Sequence, residues 1–246
     1  MVNYAEYTME DFYSACEKYY AVLTYNMRPV SNPIAYLLGG QSGAGKSILH
    51  EILKAEKSNI IIIDGDRFRE RHPNYEIIAK IYGIEAANYT QSFANSIVNA
   101  LIEKLSADGY NIIVEGTCRR ADVPMKTCND LKEKGYRVEL AVMCTDAKTS
   151  WQNTINRYNT MKALGVIPRA VPLDKYNEMI NALPNNIGTL YNAKIFDDIR
   201  LFDTTRHCLY QYSKTPNINP QTIVESKLYQ YQQQEITDED ELDEVL

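Results

Sequence analysis

IAYLLGGQSGAGKSILHEILKAE, running from Ile34 to Glu56, is the stretch whose reading decides the fold. Its centre, Gly40-Gln41-Ser42-Gly43-Ala44-Gly45-Lys46-Ser47, fits the pattern G-x-x-x-x-G-K-[ST]. The apolar run Ile34–Leu38 before it reads as a buried strand, and Ile48–Glu56 after it reads as a helix, which is the setting that gives the pattern a mechanism. Glycines let the backbone wrap phosphate oxygens with its N–H groups turned inward. Lys46 then reaches the β- and γ-phosphates, and the Ser47 hydroxyl is placed to ligate Mg²⁺. The helix start adds the positive end of its dipole to the same anion site. Residues 40–47 therefore predict a cradle for a nucleoside triphosphate, ATP or GTP.

Working outward, unbroken apolar and β-branched runs recur at Asn59–Asp64, Asn111–Glu115, Val138–Cys144 and Ile199–Phe202. Continuous apolarity suits strands covered on both faces. Helical periodicity fills the intervals at Ala86–Leu105, Val123–Lys134, Lys148–Leu164 and Asp174–Leu183, and an aromatic stripe marks a further helix within Tyr7–Asn26. The alternation predicts an α/β fold, a parallel β-sheet flanked by helices of the P-loop kinase type. A single domain over 1–246 is expected, with an N-terminal helical segment at 1–33 and a lid-like helical region at 146–185. The acidic stretch 235–246 is expected to be a disordered, solvated tail, and Gln230–Gln234 the end of a surface helix.

The composition excludes several classes. Apolar residues make up 45% of 246 and charged residues 24%, ordinary for a globular protein. The net charge of −6 is concentrated at the end, because Glu235–Leu246 holds seven acids and no base. The rest carries 26 basic residues against 25 acidic ones, so no global pull toward nucleic acid is expected. Five cysteines without a C-x-x-C pair, no signal peptide and no long apolar span predict reduced thiols in a cytoplasmic protein with no membrane partner.

Ligands of such a sheet gather at the carboxyl ends of the strands. Asp64 and Asp66 follow the second strand; they are placed to steer Mg²⁺ or to take a proton from an attacking hydroxyl, with Asp66 the stronger candidate. Glu115, Thr117 and Arg119 follow the third and form a polar recognition loop, whereas Arg120 reads as a surface charge. Arg157 and Arg169 come from the helical region beyond the fourth strand. Each reads equally well as a clamp on a migrating phosphoryl group or as a solvent-facing charge. His50 reads as packing or capping, His72 as structural, and His207 as part of a late strand-like segment; none is assigned as a base.

The blocks GGQSGAGKS, IIIIDGDRFRERHPNY, GYNIIVEGT-x-R, DVP, the arginine of NRY and that of PRAVP together resemble the zeta toxins, the kinase halves of epsilon–zeta toxin–antitoxin pairs. The resemblance runs in order from about Pro33 to Asp203. It implies an ATP- or GTP-dependent kinase that phosphorylates the 3′-hydroxyl of UDP-N-acetylglucosamine and so inhibits cell-wall synthesis. By position, Lys46 and Ser47 hold the triphosphate and Mg²⁺, Asp66 becomes the base, and Arg157 and Arg169 clamp the transferred phosphate. Glu115, Thr117 and Arg119 contact the nucleotide-sugar. The resemblance also implies a small helical antitoxin acting in trans.

The chain departs from the family pattern at Asn99, where an acid facing the sugar-nucleotide is expected, and at Val171, where threonine is frequent; Cys118 holds a variable position. The missing charge at Asn99 would weaken the usual acceptor or shift the preference to another UDP-sugar. Two other readings share the cradle: a kinase for another small hydroxyl compound, such as an antibiotic or nucleoside, and a nucleotide-gated binding module. Paired carboxylates and a second polar loop weigh against the module, which needs no acceptor pocket.

Overall fold

The fold is given by a computed structural model, whose description covers residues 3–230. The acidic tail at 235–246 and all but Gln230 of the Gln230–Gln234 segment lie outside the described residues; Gln230 itself is in a turn. The first half of the chain runs α1 (Met9–Thr24), β1 (Ile34–Gly39), α2 (Lys46–Glu56), β2 (Ile61–Ile63), α3 (Gly65–Phe68), α4 (Tyr75–Tyr82) and α5 (Ala86–Ala107). It continues through β3 (Ile112–Val114), α6 (Asp122–Glu133), β4 (Arg137–Met143), α7 (Ala147–Ala163) and α8 (Leu173–Ala193). The chain then forms β5 (Asp198–Phe202), β6 (Cys208–Gln211) and α9 (Gln221–Leu228).

The six strands lie in the order β2-β3-β1-β4-β5-β6. The first five pair in parallel, as the unbroken apolar runs predict, and β6 joins the edge antiparallel. All six residues of β1 are buried. Strand alternation divides them between the two faces. Ala35 and Leu37 enter the larger core with Ile97 and Leu101 of α5, Leu131 of α6 and Leu183 of α8. Ile34, Tyr36 and Leu38 enter a smaller core beneath α2, packed on Leu49 and Leu53. Because β3 and β4 flank β1 on opposite sides, the connections leaving them diverge and open a crevice beyond β1, where the phosphate loop begins.

The N-terminal helix forms as its sequence suggests. Thr8 Oγ1 accepts from the Asp11 N–H at 3.1 Å, and Asp11 Oδ2 accepts from the Thr8 N–H at 3.0 Å, a reciprocal cap. Its stripe of Phe12, Cys16, Tyr19, Tyr20 and Leu23 packs on the larger core. The helix expected to stop at Leu183 instead runs through Pro184 to Ala193. Proline there removes one backbone donor. Burial of Leu183, Ile187 and Leu190 outweighs that local preference. Among the described residues no helix is long and apolar enough to cross a membrane.

Candidate active site

The loop after β1 is shaped by contacts from the opposite side of the crevice. Gly43 has φ +74°, and a Cβ there would lie 1.9 Å from the Ser150 carbonyl oxygen, so α7 approaches as closely as glycine permits. The Gln41 side chain is fully buried and donates to Thr145 O at 2.6 Å and to Ser150 Oγ at 2.9 Å. Thr145 Oγ1 donates to Ala44 O at 2.6 Å, and Asn153 Nδ2 donates to Gly43 O at 3.0 Å. Four bonds thus fasten the loop to the start of α7 and leave its backbone to line the cradle. Gln41 and Ala44 are buried, and Ser42 and Gly45 complete the turn.

Lys46 opens α2 with its amine curled over this loop, donating to Gly40 O at 3.0 Å and Gln41 O at 3.2 Å. Burial pushes the amine pKa down, against the opposing pull of Glu115 and Asp66. A cation hydrogen-bonded to the rim of a positively ended helix start is placed for an anionic ligand. Ser47 is exposed on the first turn of α2.

Three carboxylates stand at the ends of β2 and β3. Asp64 caps α3, its Oδ1 accepting from the Asp66 N–H at 3.0 Å, and pairs with Arg67 at 3.3 Å. Burial, then the charges of Glu115 and Asp66, push its carboxyl up. Asp66 goes the other way. Burial alone would raise it, but Arg169, Arg69 and Arg157 hold the carboxyl below the usual aspartate range. The surroundings thus push these two neighbouring carboxyls in opposite directions. Glu115 is likewise held low: burial would raise it, but His50 and Lys46 overcome that.

The arginines converge on the same place. Arg169 Nη1 is 3.3 Å from Asp66 Oδ2, and Arg69 Nε is 3.2 Å from Asp66 Oδ1. Arg157 makes no ion pair with any of the described residues, and the buried Nε atoms of both Arg157 and Arg169 have no hydrogen-bond partner there. Burial, then the charge of Arg169, pushes the Arg157 guanidinium down. Buried unpaired donors are costly. Guanidinium donors suit phosphate and carboxylate oxygens. Among the described residues no cluster of three or more histidine, cysteine, aspartate or glutamate side chains could hold a metal.

The recognition loop after β3 is anchored from behind. Gly116 passes so close to β1 that a Cβ would lie 2.9 Å from Leu38 O, and Thr117 O accepts from the Gly40 N–H at 3.4 Å. Asn186 of α8 donates to Cys118 O at 2.9 Å and Arg119 O at 2.6 Å. The Arg119 side chain is exposed, and Arg120 pairs with Asp122 on the surface at 2.6 Å. Asn99 sits on the exposed face of α5 and makes no hydrogen bond with the described residues. Val171 packs partly buried against the larger core.

Two side chains in the cluster carry no role in the sequence reading. His50, read there as packing or capping, places Nε2 2.8 Å from Glu115 Oε1. Its position four residues after Lys46 was the available signal, since that spacing returns to one helix face. Arg69 lies in the DGDRFR block, but the two arginines there are indistinguishable by pattern.

The chain is similar to known proteins in both sequence and fold. A family model described as zeta toxin matches residues 19–215. Toxin PezT of Streptococcus pneumoniae serotype 4 is 38% identical over 226 residues, spanning 91% of this chain and 89% of that one. Toxin zeta of Streptococcus agalactiae is 36% identical over 230 residues, spanning 93% of this chain and 80% of that one. A solved chain from the PezAT chromosomal toxin–antitoxin system of Streptococcus pneumoniae superposes with a TM-score of 0.85 at 35% identity, over 94% of this chain and 92% of that one.

Proposed function

This chain belongs to the zeta toxin family, and from that premise we propose that it is the kinase toxin of a toxin–antitoxin pair, transferring the γ-phosphate of ATP or GTP to a nucleotide-sugar. The proposed acceptor is the 3′-hydroxyl of UDP-N-acetylglucosamine, and the consequence is inhibition of cell-wall synthesis. One observation carries the reading: the Asp66 carboxylate pairs with Arg169 at 3.3 Å and feels the charge of Arg157, and the buried Nε donors of both arginines have no hydrogen-bond partner among the described residues. Base and phosphoryl receptor are side by side, which in-line transfer requires.

In this mechanism the loop 40–47 holds the triphosphate and Lys46 leaves its loop carbonyls for the β- and γ-phosphates. Mg²⁺, when bound near Ser47, supplies neutralisation of charge on the bridging phosphate oxygens. Asp66 takes the proton of the acceptor hydroxyl as it attacks. Arg157 and Arg169 stabilise charge on the migrating group, and the 146–185 region that carries them acts as the lid. Glu115, Thr117, Arg119 and Asn99 bind the nucleotide-sugar. Inhibition comes from a small helical antitoxin in trans, a partner supported by the toxin–antitoxin origin of the superposed structure.

The test is mass spectrometry of UDP-sugars, free sugars, nucleosides and aminoglycosides incubated with the protein, ATP and Mg²⁺. A phosphate gained by UDP-N-acetylglucosamine is expected. Asp66→Ala should lower transfer about a hundred- to ten-thousandfold, with nucleotide affinity preserved. Phosphate on none of the panel, or near-normal turnover by Asp66→Ala, would overturn the reading.

A further inference from the structure

Asp66 is gripped by two arginines that differ in what else holds them. Arg169 reaches Oδ2 from the connection between α7 and α8, and its Nε has no partner among the described residues. Arg69 is fixed on every side. Its Nε contacts Asp66 Oδ1 at 3.2 Å, Nη1 donates to Ala87 O at 2.7 Å and Thr90 Oγ1 at 3.4 Å, and Nη2 donates to Gln91 Oε1. These acceptors are themselves secured on α5, with Thr90 Oγ1 donating to Ala86 O at 3.0 Å and Gln91 Nε2 to Asn95 Oδ1 at 2.6 Å. The Arg69 side chain is only 12% exposed, against 47% for Asp66.

The contrast matters because α3, which carries Asp66, is four residues long. So short a helix has little stability of its own. A general base must sit within about 2.6–3.2 Å of the proton it takes. Displacement by about 1 Å can cost around a hundredfold in rate. Something outside α3 has to hold that carboxylate.

We propose that Arg69 is a positioning residue that splints the Asp66 carboxylate to α5 through Oδ1, leaving Oδ2 as the oxygen that receives the acceptor proton once Arg169 turns to the phosphoryl group. This rests on the reading of Asp66 as the base. The other charged groups facing Asp66 are Arg157, Lys46, Glu115 and Asp64, and none is tied to α5 in this way. The fork geometry is what the arrangement uses. Lysine, a single point donor, cannot reach Asp66, Ala87 and Gln91 together.

The test is steady-state kinetics on the full chain with ATP, Mg²⁺ and UDP-N-acetylglucosamine, for Arg69→Ala, Arg69→Lys, Asp66→Ala and the Asp66→Ala/Arg69→Ala pair. Arg69→Ala is expected to lower kcat about ten- to a hundredfold while both KM values stay within about twofold of the unchanged protein. Arg69→Lys should recover little of that loss. In the Asp66→Ala background, removing Arg69 should cost nothing further, because a residue acting through the base has no effect once the base is gone. A full additional loss in the double variant, wild-type kcat in Arg69→Lys, or an effect confined to acceptor KM would each overturn the splint. Failure of the base reading looks different, since Asp66→Ala alone would then keep its turnover.

Discussion

The two ends of α2 treat buried charge in opposite ways. At its C-terminal end Glu56 meets Arg200 of β5 at 2.7 Å, Arg200 meets Glu139 of β4 at 3.2 Å, and the rings of Tyr36 and Phe202 lie 5.5 Å from the guanidinium carbon. Every charge there has an ion-pair partner, although Arg200 Nε and Nη2 make no hydrogen bond with the described residues. At the N-terminal end Lys46 turns back on its own loop, and Arg157 has no ion pair among the described residues. Both ends rest on the same sheet and the same helix. The difference is that one set of cations is closed by carboxylates from neighbouring elements, whereas on the proposed function a ligand closes the other. A buried ion pair broken on one side leaves an uncompensated charge. A receptor emptied of its own unpaired cation loses function and keeps, or gains, stability.

Arg157→Ala breaks that comparison most severely if it is wrong. Arginines that stabilise charge on a migrating phosphoryl group are worth about 10³–10⁵ in kcat. A loss of that order is expected, with a thermal midpoint equal to or above that of the unchanged protein. Loss of activity accompanied by a matching drop in the midpoint would show Arg157 to be a structural charge like Arg200. The converse is Glu139→Ala, which leaves Arg200 buried with half its partners. It should destabilise the protein by about 3–5 kcal/mol in denaturant unfolding, while kcat of the folded fraction stays within about threefold. A Glu139→Leu/Arg200→Met pair should recover most of that stability, because removing both charges removes the desolvation cost as well.

The same contrast explains what the sequence disclosed. Strands and helices with strong periodicity, and a loop whose glycines have a single use, are local statements, and β1, β3, β4 and the 40–47 cradle lie where the residues place them. Asp66 beside Arg169 follows the strand-end rule once the parallel sheet is known. What stayed hidden depends on contacts between segments far apart in sequence. Arg69 takes its meaning from Ala87 and Gln91, and His50 from Glu115, across 18, 22 and 65 positions respectively. The continuation of α8 through Pro184 is set by a core the sequence cannot show. Likewise β6 is an edge strand of four residues, held by β5 and not by any pattern of its own.

Asp198 sharpens the comparison in the smallest increment, because its carboxylate is held by neutral donors that no ligand removes. Oδ2 accepts from Gln211 Nε2 at 2.8 Å and Ser213 Oγ at 2.9 Å, and Oδ1 from the Ile199 and Ser213 N–H groups at 2.9 and 3.1 Å. Burial would push its carboxyl up, but these bonds hold it below the ordinary value of 3.8. A carboxyl depressed in the folded state contributes stability that is present above its unfolded pKa of about 3.9 and is lost as pH falls through the folded value. Asp198→Asn should therefore cost about 1–3 kcal/mol near pH 7. The gap from the unchanged protein should narrow as the pH is lowered below about 4, and saturating nucleotide should leave it unaltered. A gap constant across that range would mean the bonds act without regard to charge. A gap that moved with nucleotide would mean this edge of the sheet is coupled to the cradle, and the two ends of α2 would no longer be independent.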